Sequence, residues 1–559
     1  MVSSGGSRTY LVDEDGVYPR AQSRGSRIMS VLGPLLLIVM VTGGVLYFGA
    51  DSELTPAPSA AETKDAAQLA PVHSTITDLD GAASVSAHED ADNAYDFSEI
   101  LFGEAPVVIA LSGYEKDAAA LRDNSWQDLV DVAVANNVPV LPITDQEDFE
   151  AEVKRLGSAG VLNVDLEAEH EGAVSANDLD IHNAEVIDLA TWDHDAEAFQ
   201  ISDSWQKELA QNVGDLRPAA EVPSTTLVSD TDLAQFPVTT ATAQSAGVKI
   251  ADGHTVDLFA ADVQAEELTG SLMAFSEEPV GDKSLQWQQA VLKNESELPG
   301  GGYSLFDAKS YVALYGSPDI PALGVLGQNS VKGSIKEAEK RSSKYADLTE
   351  DDVIPTFEII ATVASSSAGD DGNYSSELPA EDLKPWVEKA GEEGFYVLID
   401  LQPGRTDFVT QAKEYEELLK MPHVGLALDA EWRLEDGQKH LEQIGSVTAD
   451  EVNETSDWLQ KLVQKNELPP KMLVLHQFSR AMIKNRSDIT VNHPEIDVVL
   501  HADGQGTQAA KTDTWESLHD DAPEVAAWGW KNFLNEDHPV LSPKNTYAVT
   551  PRPLLVTYQ

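Results

Sequence analysis

Residues 424–432 read VGLALDAEW: a mostly apolar run that ends in Asp429 and Glu431, with Trp432 directly behind. Short continuous apolar runs mark parallel strands, because helices cover both faces of such a sheet. The same texture recurs at SYVALYG (310–316), FEIIATVA (357–364), FYVLIDLQ (395–402), KMLVLHQF (471–478), IDVVLHAD (496–503) and EVAAWGWKNF (524–533). Helical spacing lies between them. TDFVTQAKEYEELLK (406–420) puts Phe408, Ala412, Tyr415, Leu418 and Leu419 along one side, and the stretch 448–466 opens with Thr448 and Glu451 in a capping-box pattern. Seven such strands with helical crossovers, plus an eighth in RPLLVTY (552–558), predict a TIM-type (β/α)8 barrel over residues 300–559. An open doubly wound sheet is the alternative; the strand count and the polar strand ends favour the barrel.

In such a barrel, chemistry sits where strands end and the following loops begin. Those ends carry Tyr315, then Asp400 and Gln402, then Asp429, Glu431 and Trp432, then His476 and Gln477, then His501 and Asp503, and finally Trp528, Trp530 and Lys531. The strand interiors are apolar and the ends polar, so polar groups should converge on one rim and bind substrate there.

Side chains two apart on a strand point the same way, about 6–7 Å from each other. Asp429 and Glu431 would then share a face, and like charges that close raise the pKa of the more buried partner. One acid stays protonated while the other stays charged, which suits glycosidic cleavage. Trp432, Trp528 and Trp530 are the side-chain type that stacks on sugar faces. The DxE at residues 429–431 resembles glycoside hydrolases with chitinase-like and muramidase-like barrels. That resemblance implies Glu431 as the catalytic acid and Asp429 as its catalytic helper. The longer chitinase pattern has further aspartates upstream, where this chain has Gly425 and Ala427.

A metal reading would gather His476, His501, Asp503 and Asp429. No HxH or HExxH pattern accompanies them, so neither a metal nor another cofactor is expected. Serine-nucleophile GxSxG motifs are absent.

Residues 98–299 alternate short apolar runs with helical stretches: APVVIALSG (105–113), a helix at 125–137, VPVLPI (138–143), a helix at 147–157 and AGVLNVDLE (159–167). A second cycle runs through AEVIDLATW (184–192), STTLVSD (224–230) and AGVKIADG (246–253). This alternation predicts a Rossmann-like parallel α/β domain. No phosphate-cradling glycine loop follows these strands, so nucleotide is not an expected ligand. The run VVIALSG…VPVLPI…FEAEVKRLGSAGVLNV resembles cell-wall-binding repeat type 2, which implies attachment to envelope polymer.

The remaining N-terminal sequence sets the context. Residues 28–50 carry no charge, and at 1.5 Å per residue a helix there would span ~34 Å, enough for the ~30 Å hydrocarbon core of a bilayer. Arg8, Arg20, Arg24 and Arg27 precede it, whereas residues 51–100 hold eleven acids and one lysine. That asymmetry predicts an uncleaved anchor in the cytoplasmic membrane, with residues 1–27 inside and the C-terminal domains outside. A cleaved signal peptide is the alternative. Residues 51–97, rich in Ala, Ser, Asp, Glu, Thr and Pro, read as an acidic disordered linker. Net charge over the 559 residues is −58, which repels nucleic-acid phosphates and excludes DNA and RNA as partners. There is no cysteine, hence no disulfide or thiolate chemistry.

The C-terminal stretches YGSPDIPALGVLG, LIDLQPGRTDF, LALDAEWRL and VVLHADGQG resemble uncharacterised exported proteins of actinobacteria. The combined expectation is a membrane-anchored envelope protein that binds cell-wall polysaccharide or peptidoglycan through the barrel mouth and, in its stronger form, hydrolyses it. The alternative is a non-catalytic glycan-binding or scaffold subunit of a membrane complex.

Overall fold

The computed structural model describes residues 69–559 apart from 88–92, 117, 167–172, 182, 252–254, 260–265, 267 and 279. The expected membrane span at 28–50 lies outside the described residues. Among the described residues no helix is long and apolar enough to cross a membrane.

Eight parallel strands close into a barrel: β1 (Lys309–Gly316), β2 (Asp352–Ala364), β3 (Tyr396–Leu401), β4 (Val424–Asp429), β5 (Lys471–Gln477), β6 (Ile496–Ala502), β7 (Ala527–Asn532) and β8 (Leu555–Tyr558). Each pairs with its sequence neighbour, and β8 pairs with β1 to complete the ring. The eight apolar runs predicted from sequence are these eight strands, and the open-sheet alternative falls because no edge is left between β1 and β8.

Period-two alternation sorts each strand into two faces. Leu314, Phe357, Val397, Ile399, Leu426, Leu428, Leu473, Leu475, Val498 and Leu500 pack outward against the helices in one cluster. Tyr311, Ala313, Ile354, Tyr396, Leu398, Ala427, Met472, Val474, Val499, Ala527 and Leu555 fill the barrel interior in another.

The outer layer holds helices Val331–Ala346, Ala380–Glu392, Ala449–Lys465 and Gln508–His519, and the 406–420 stretch forms two short helices that break at Tyr415. Its five apolar positions are buried as the spacing predicts. Thr448 caps the helix Ala449–Lys465 by accepting from the Glu451 backbone N–H. The reciprocal half of the capping box is not made. The Glu451 carboxylate instead accepts from Arg433 Nε at 2.8 Å and from the Phe408 N–H at 3.1 Å, tying the loop after β4 to its neighbours. Between β5 and β6 the chain makes two 3-10 turns and the short strand Ile483–Lys484, which pairs with Val447–Thr448, without an α-helix. Helix Asp282–Lys293, which precedes the barrel in sequence, packs Trp287 and Val291 into the outer cluster and donates from Trp287 Nε1 to the Leu468 carbonyl at 2.8 Å.

The preceding α/β region, expected from sequence as a Rossmann-like parallel domain, contains two main sheets. One has five strands in the order 140–142, 107–112, 160–165, 185–193, 198–201, and only the last is antiparallel. The other has four parallel strands in the order 249–250, 225–229, 271–276, 82–86. The strand Ala82–Ser86 corrects the linker expectation for 51–97, since this small-residue stretch pairs along its whole length with Ser271–Ser276. Its pattern gives no signal because most of its hydrogen bonding and packing comes from residues about 190 positions away.

Candidate functional site at the C-terminal end of the barrel

Each strand places an inward polar side chain toward its C-terminal end: Tyr315 on β1, Glu358 on β2, Asp400 on β3, Asp429 on β4, His476 on β5, His501 on β6, Lys531 on β7 and Thr557 on β8. These eight residues lie above the apolar interior, and none is more than 1 % exposed. Four neighbouring pairs sit in direct register: Tyr315 with Glu358, Asp429 with His476, His476 with His501, and Lys531 with Thr557. Asp503, one residue past β6 and also buried, joins them.

The contacts are specific. His476 Nε2 is 2.8 Å from Glu358 Oε1 and 3.8 Å from Asp400 Oδ1, and its Nδ1 is 3.7 Å from Asp503 Oδ2. The Tyr315 hydroxyl donates to Asp400 Oδ2 at 2.8 Å. Lys531 Nζ lies 3.5 Å from the centre of the Tyr315 ring, a cation–π contact, and 3.7 Å from Asp503 Oδ2. His501 Nε2 and Thr557 Oγ1 are 3.1 Å apart. Glu358 Oε2, Asp400 Oδ1 and Asp429 Oδ1 make no hydrogen bond to any described protein group.

Electrostatics follow from burial. Loss of water pushes the Asp400 carboxyl up to about 6, with Glu358 adding to the rise and His476 and Lys531 opposing it. Asp429 is held well above the usual carboxylate range by burial first, then by the nearby charges of Glu431 and Asp400. For His476 burial alone would disfavour the charged imidazolium; the Glu358 and Asp503 carboxylates outweigh it and raise the pKa well above the ordinary value. Burial, His476 and Lys531 together push His501 well below, so it stays neutral. Burial and the surrounding carboxylates keep the Tyr315 hydroxyl protonated. Groups poised this way are typical of functional sites, and structural ion-pair networks share the property.

Of the residues expected at the rim, Tyr315, Asp400, Asp429, His476, His501, Asp503 and Lys531 are brought together. Glu431 borders the cluster. It lies in a single 3-10 turn, Ala430–Trp432, because the strand stops at Asp429. The same-face strand geometry expected for the pair therefore does not apply, although the two carboxylates remain close enough to perturb one another. Glu431 is partly exposed, unlike Asp429 beneath it.

Gln402 sits at the edge, accepting from the Ala364 N–H at 3.0 Å with its amide 3.5 Å from the Tyr315 hydroxyl. Gln477 points away, with its oxygen 3.4 Å from Arg486 Nη1. Trp432 is buried edge-on to His440 at 5.3 Å. Trp530 faces the helices, packed 5.5 Å from Trp515, and Trp528 stacks on His519 at 3.6 Å. Neither of these two indoles reaches the barrel interior, because their positions on β7 have the parity opposite to Lys531.

Glu358 and Thr557 were missed by a reading of strand ends. β2 continues to Ala364, six residues past Glu358, and packs Ile360 and Val363 against Tyr315; the discoverable signal is a lone charge inside the apolar run FEIIATVA.

The roof is fastened by a buried ion pair. Lys511 Nζ lies 3.0 Å from Asp537 Oδ2 and also donates to the carbonyls of Gly504 and Lys531, both at 2.7 Å. Asp537 in turn accepts from the Gly506 and Phe533 N–H groups, each at 3.0 Å, so the segments after β6 and β7 are held as one unit.

Fold and site together define a (β/α)8 barrel whose C-terminal end carries a buried ring of ionisable groups. No known protein family, curated protein or solved structure matches the chain.

Proposed function

We propose that this protein binds a cell-envelope glycan at the C-terminal mouth of its barrel and cleaves it by acid catalysis, with Glu431 as the proton donor. The observation that carries this reading is the carboxyl pair at the end of β4: a buried Asp429, raised well above the usual carboxylate range, next to a partly exposed Glu431. Glu431 is the carboxyl at the border of the ring with access to solvent, so a glycosidic oxygen can approach it. The two carboxyl groups lie close enough for the charge of Glu431 to help raise Asp429, the kind of carboxyl pair in which environment separates the two protonation states. Asp400 lies beside the pair on the neighbouring strand β3 and is held by the Tyr315 hydroxyl from β1. In this reading the uncharged stretch 28–50 anchors the chain in the cytoplasmic membrane and the acidic domains face the wall.

Purified full-length protein should release reducing ends from cell-wall polysaccharide or peptidoglycan. Glu431→Gln should lower the rate by about 10²–10⁴, the usual contribution of a positioned acid. Wild-type inactivity across a broad glycan panel sinks the catalytic reading.

A second reading rests on the sealing of the ring itself. Because its members are at most 1 % exposed, the barrel could serve as a non-catalytic glycan-binding or scaffold subunit with a rigid polar core. That reading requires saturable glycan binding that is unchanged in Glu431→Gln.

A further inference from the structure

We infer that Glu358, Asp400 and His476 form a binding site for a divalent transition-metal ion of the Zn2+ or Mn2+ class. This inference stands apart from the glycan reading and holds whether or not the barrel cleaves anything.

One ligand atom from each residue lies within 4.8 Å of the others. The measured edges are 2.8 Å from His476 Nε2 to Glu358 Oε1 and 3.8 Å from His476 Nε2 to Asp400 Oδ1. Metal–ligand bonds of about 2.0–2.2 Å to nitrogen and carboxylate oxygen put neighbouring ligands roughly 3.0–3.5 Å apart, so the observed edges bracket what one ion requires. Two further observations point to a ligand. Asp400 Oδ1 and Glu358 Oε2 are wholly buried and lack hydrogen-bond partners among the described groups, a costly arrangement unless something electropositive meets them.

The surroundings of the three residues also match those of metal ligands. A metal-binding histidine commonly turns its other nitrogen to a carboxylate, which fixes the ring. His476 turns Nδ1 toward Asp503 Oδ2, 3.7 Å away. Asp400 is oriented likewise: its Oδ2 accepts from the Tyr315 hydroxyl, which leaves Oδ1 facing the imidazole. The three side chains come from β2, β3 and β5, rigid strands rather than loops. Charge agrees as well. The ring gathers the carboxyl groups of Glu358, Asp400, Asp429 and Asp503 around the site, and a bound divalent cation would favour their ionised forms. One carboxylate-rich face with a single imidazole suits ions between hard and borderline.

The test uses the full chain, stripped with chelator and dialysed against Zn2+ or Mn2+, followed by metal analysis and calorimetry. Wild-type protein should retain one ion per chain. Glu358→Gln and Asp400→Asn should each weaken binding at least tenfold, and Tyr315→Phe, which only orients Asp400, by about 10–100-fold. Circular dichroism of the metal-free variants establishes that they fold. Should they not fold, the wild type decides alone: Mn2+ bound here must show nitrogen coupling from one imidazole in pulsed paramagnetic resonance. The proposal is overturned if wild-type protein retains no ion, or if the bound Mn2+ shows no imidazole nitrogen. Binding that is indifferent to the substitutions and displaced by excess Mg2+ identifies only the acidic surface, and overturns it too.

Discussion

Asp497 offers a measurement of the barrel's interior electrostatics that is independent of any activity. It occupies an inward position on β6, at the end of the barrel opposite the ring, and its charge is felt by the hydroxyls of Tyr311 and Tyr396. Burial, with a smaller push from Asp257, raises its carboxyl to about 6. In the unfolded chain the same group titrates near ~3.9. A carboxyl whose folded pKa is raised stabilises the protein only while it is protonated. That contribution is complete below pH ~4 and is lost progressively as pH climbs through the folded value. The shift of about two units corresponds to an upper limit of about 3 kcal/mol lost at neutral pH, at ~1.4 kcal/mol per unit. Asp497→Asn removes the charge but keeps the shape. Urea unfolding of both proteins should show the variant more stable by about 1.5 kcal/mol at pH 5, widening to about 3 kcal/mol at pH 7.5, less whatever hydration the amide itself forfeits. A gap that is constant with pH, or one that narrows as pH rises, refutes the assignment of Asp497 as a desolvated, raised carboxyl.

Two further outcomes test the geometry. At Gly425, inside the barrel on β4, an added Cβ would meet the Met472 carbonyl at 2.6 Å and the Tyr396 hydroxyl at 2.8 Å; Gly425→Ala should therefore cost about 1–3 kcal/mol in thermal or urea melts, and a neutral result would contradict this interior packing. Trp530→Ala should cost about 3–5 kcal/mol through lost packing against Trp515 while leaving glycan affinity unchanged. A selective fall in affinity at unchanged stability would place that indole in a binding surface after all.

The eight strands were legible because their signal is local: a strand buried on both faces must be apolar along its length, and the order of runs from SYVALYG to RPLLVTY carries that directly. Helix ends were legible for the same reason, as Thr448 shows. Most of the ring could also be listed in advance, since polar residues at the ends of apolar runs are rare enough to stand out. The rest depended on which residues pair with which. Whether Trp530 or Lys531 faces the interior is a matter of one residue of register, which the sequence does not state. Glu358 joins the ring because β2 pairs it in register with Tyr315, and Glu431 leaves the strand because the chain turns at Ala430. The stretch 82–86 becomes a strand only beside 271–276. Composition and periodicity are properties of neighbours along the chain and so could be read there. Closure of the barrel pairs Tyr311 with Leu555, and His476 meets Asp400 and Glu358 from 76 and 118 positions away; only folding brings such residues within reach.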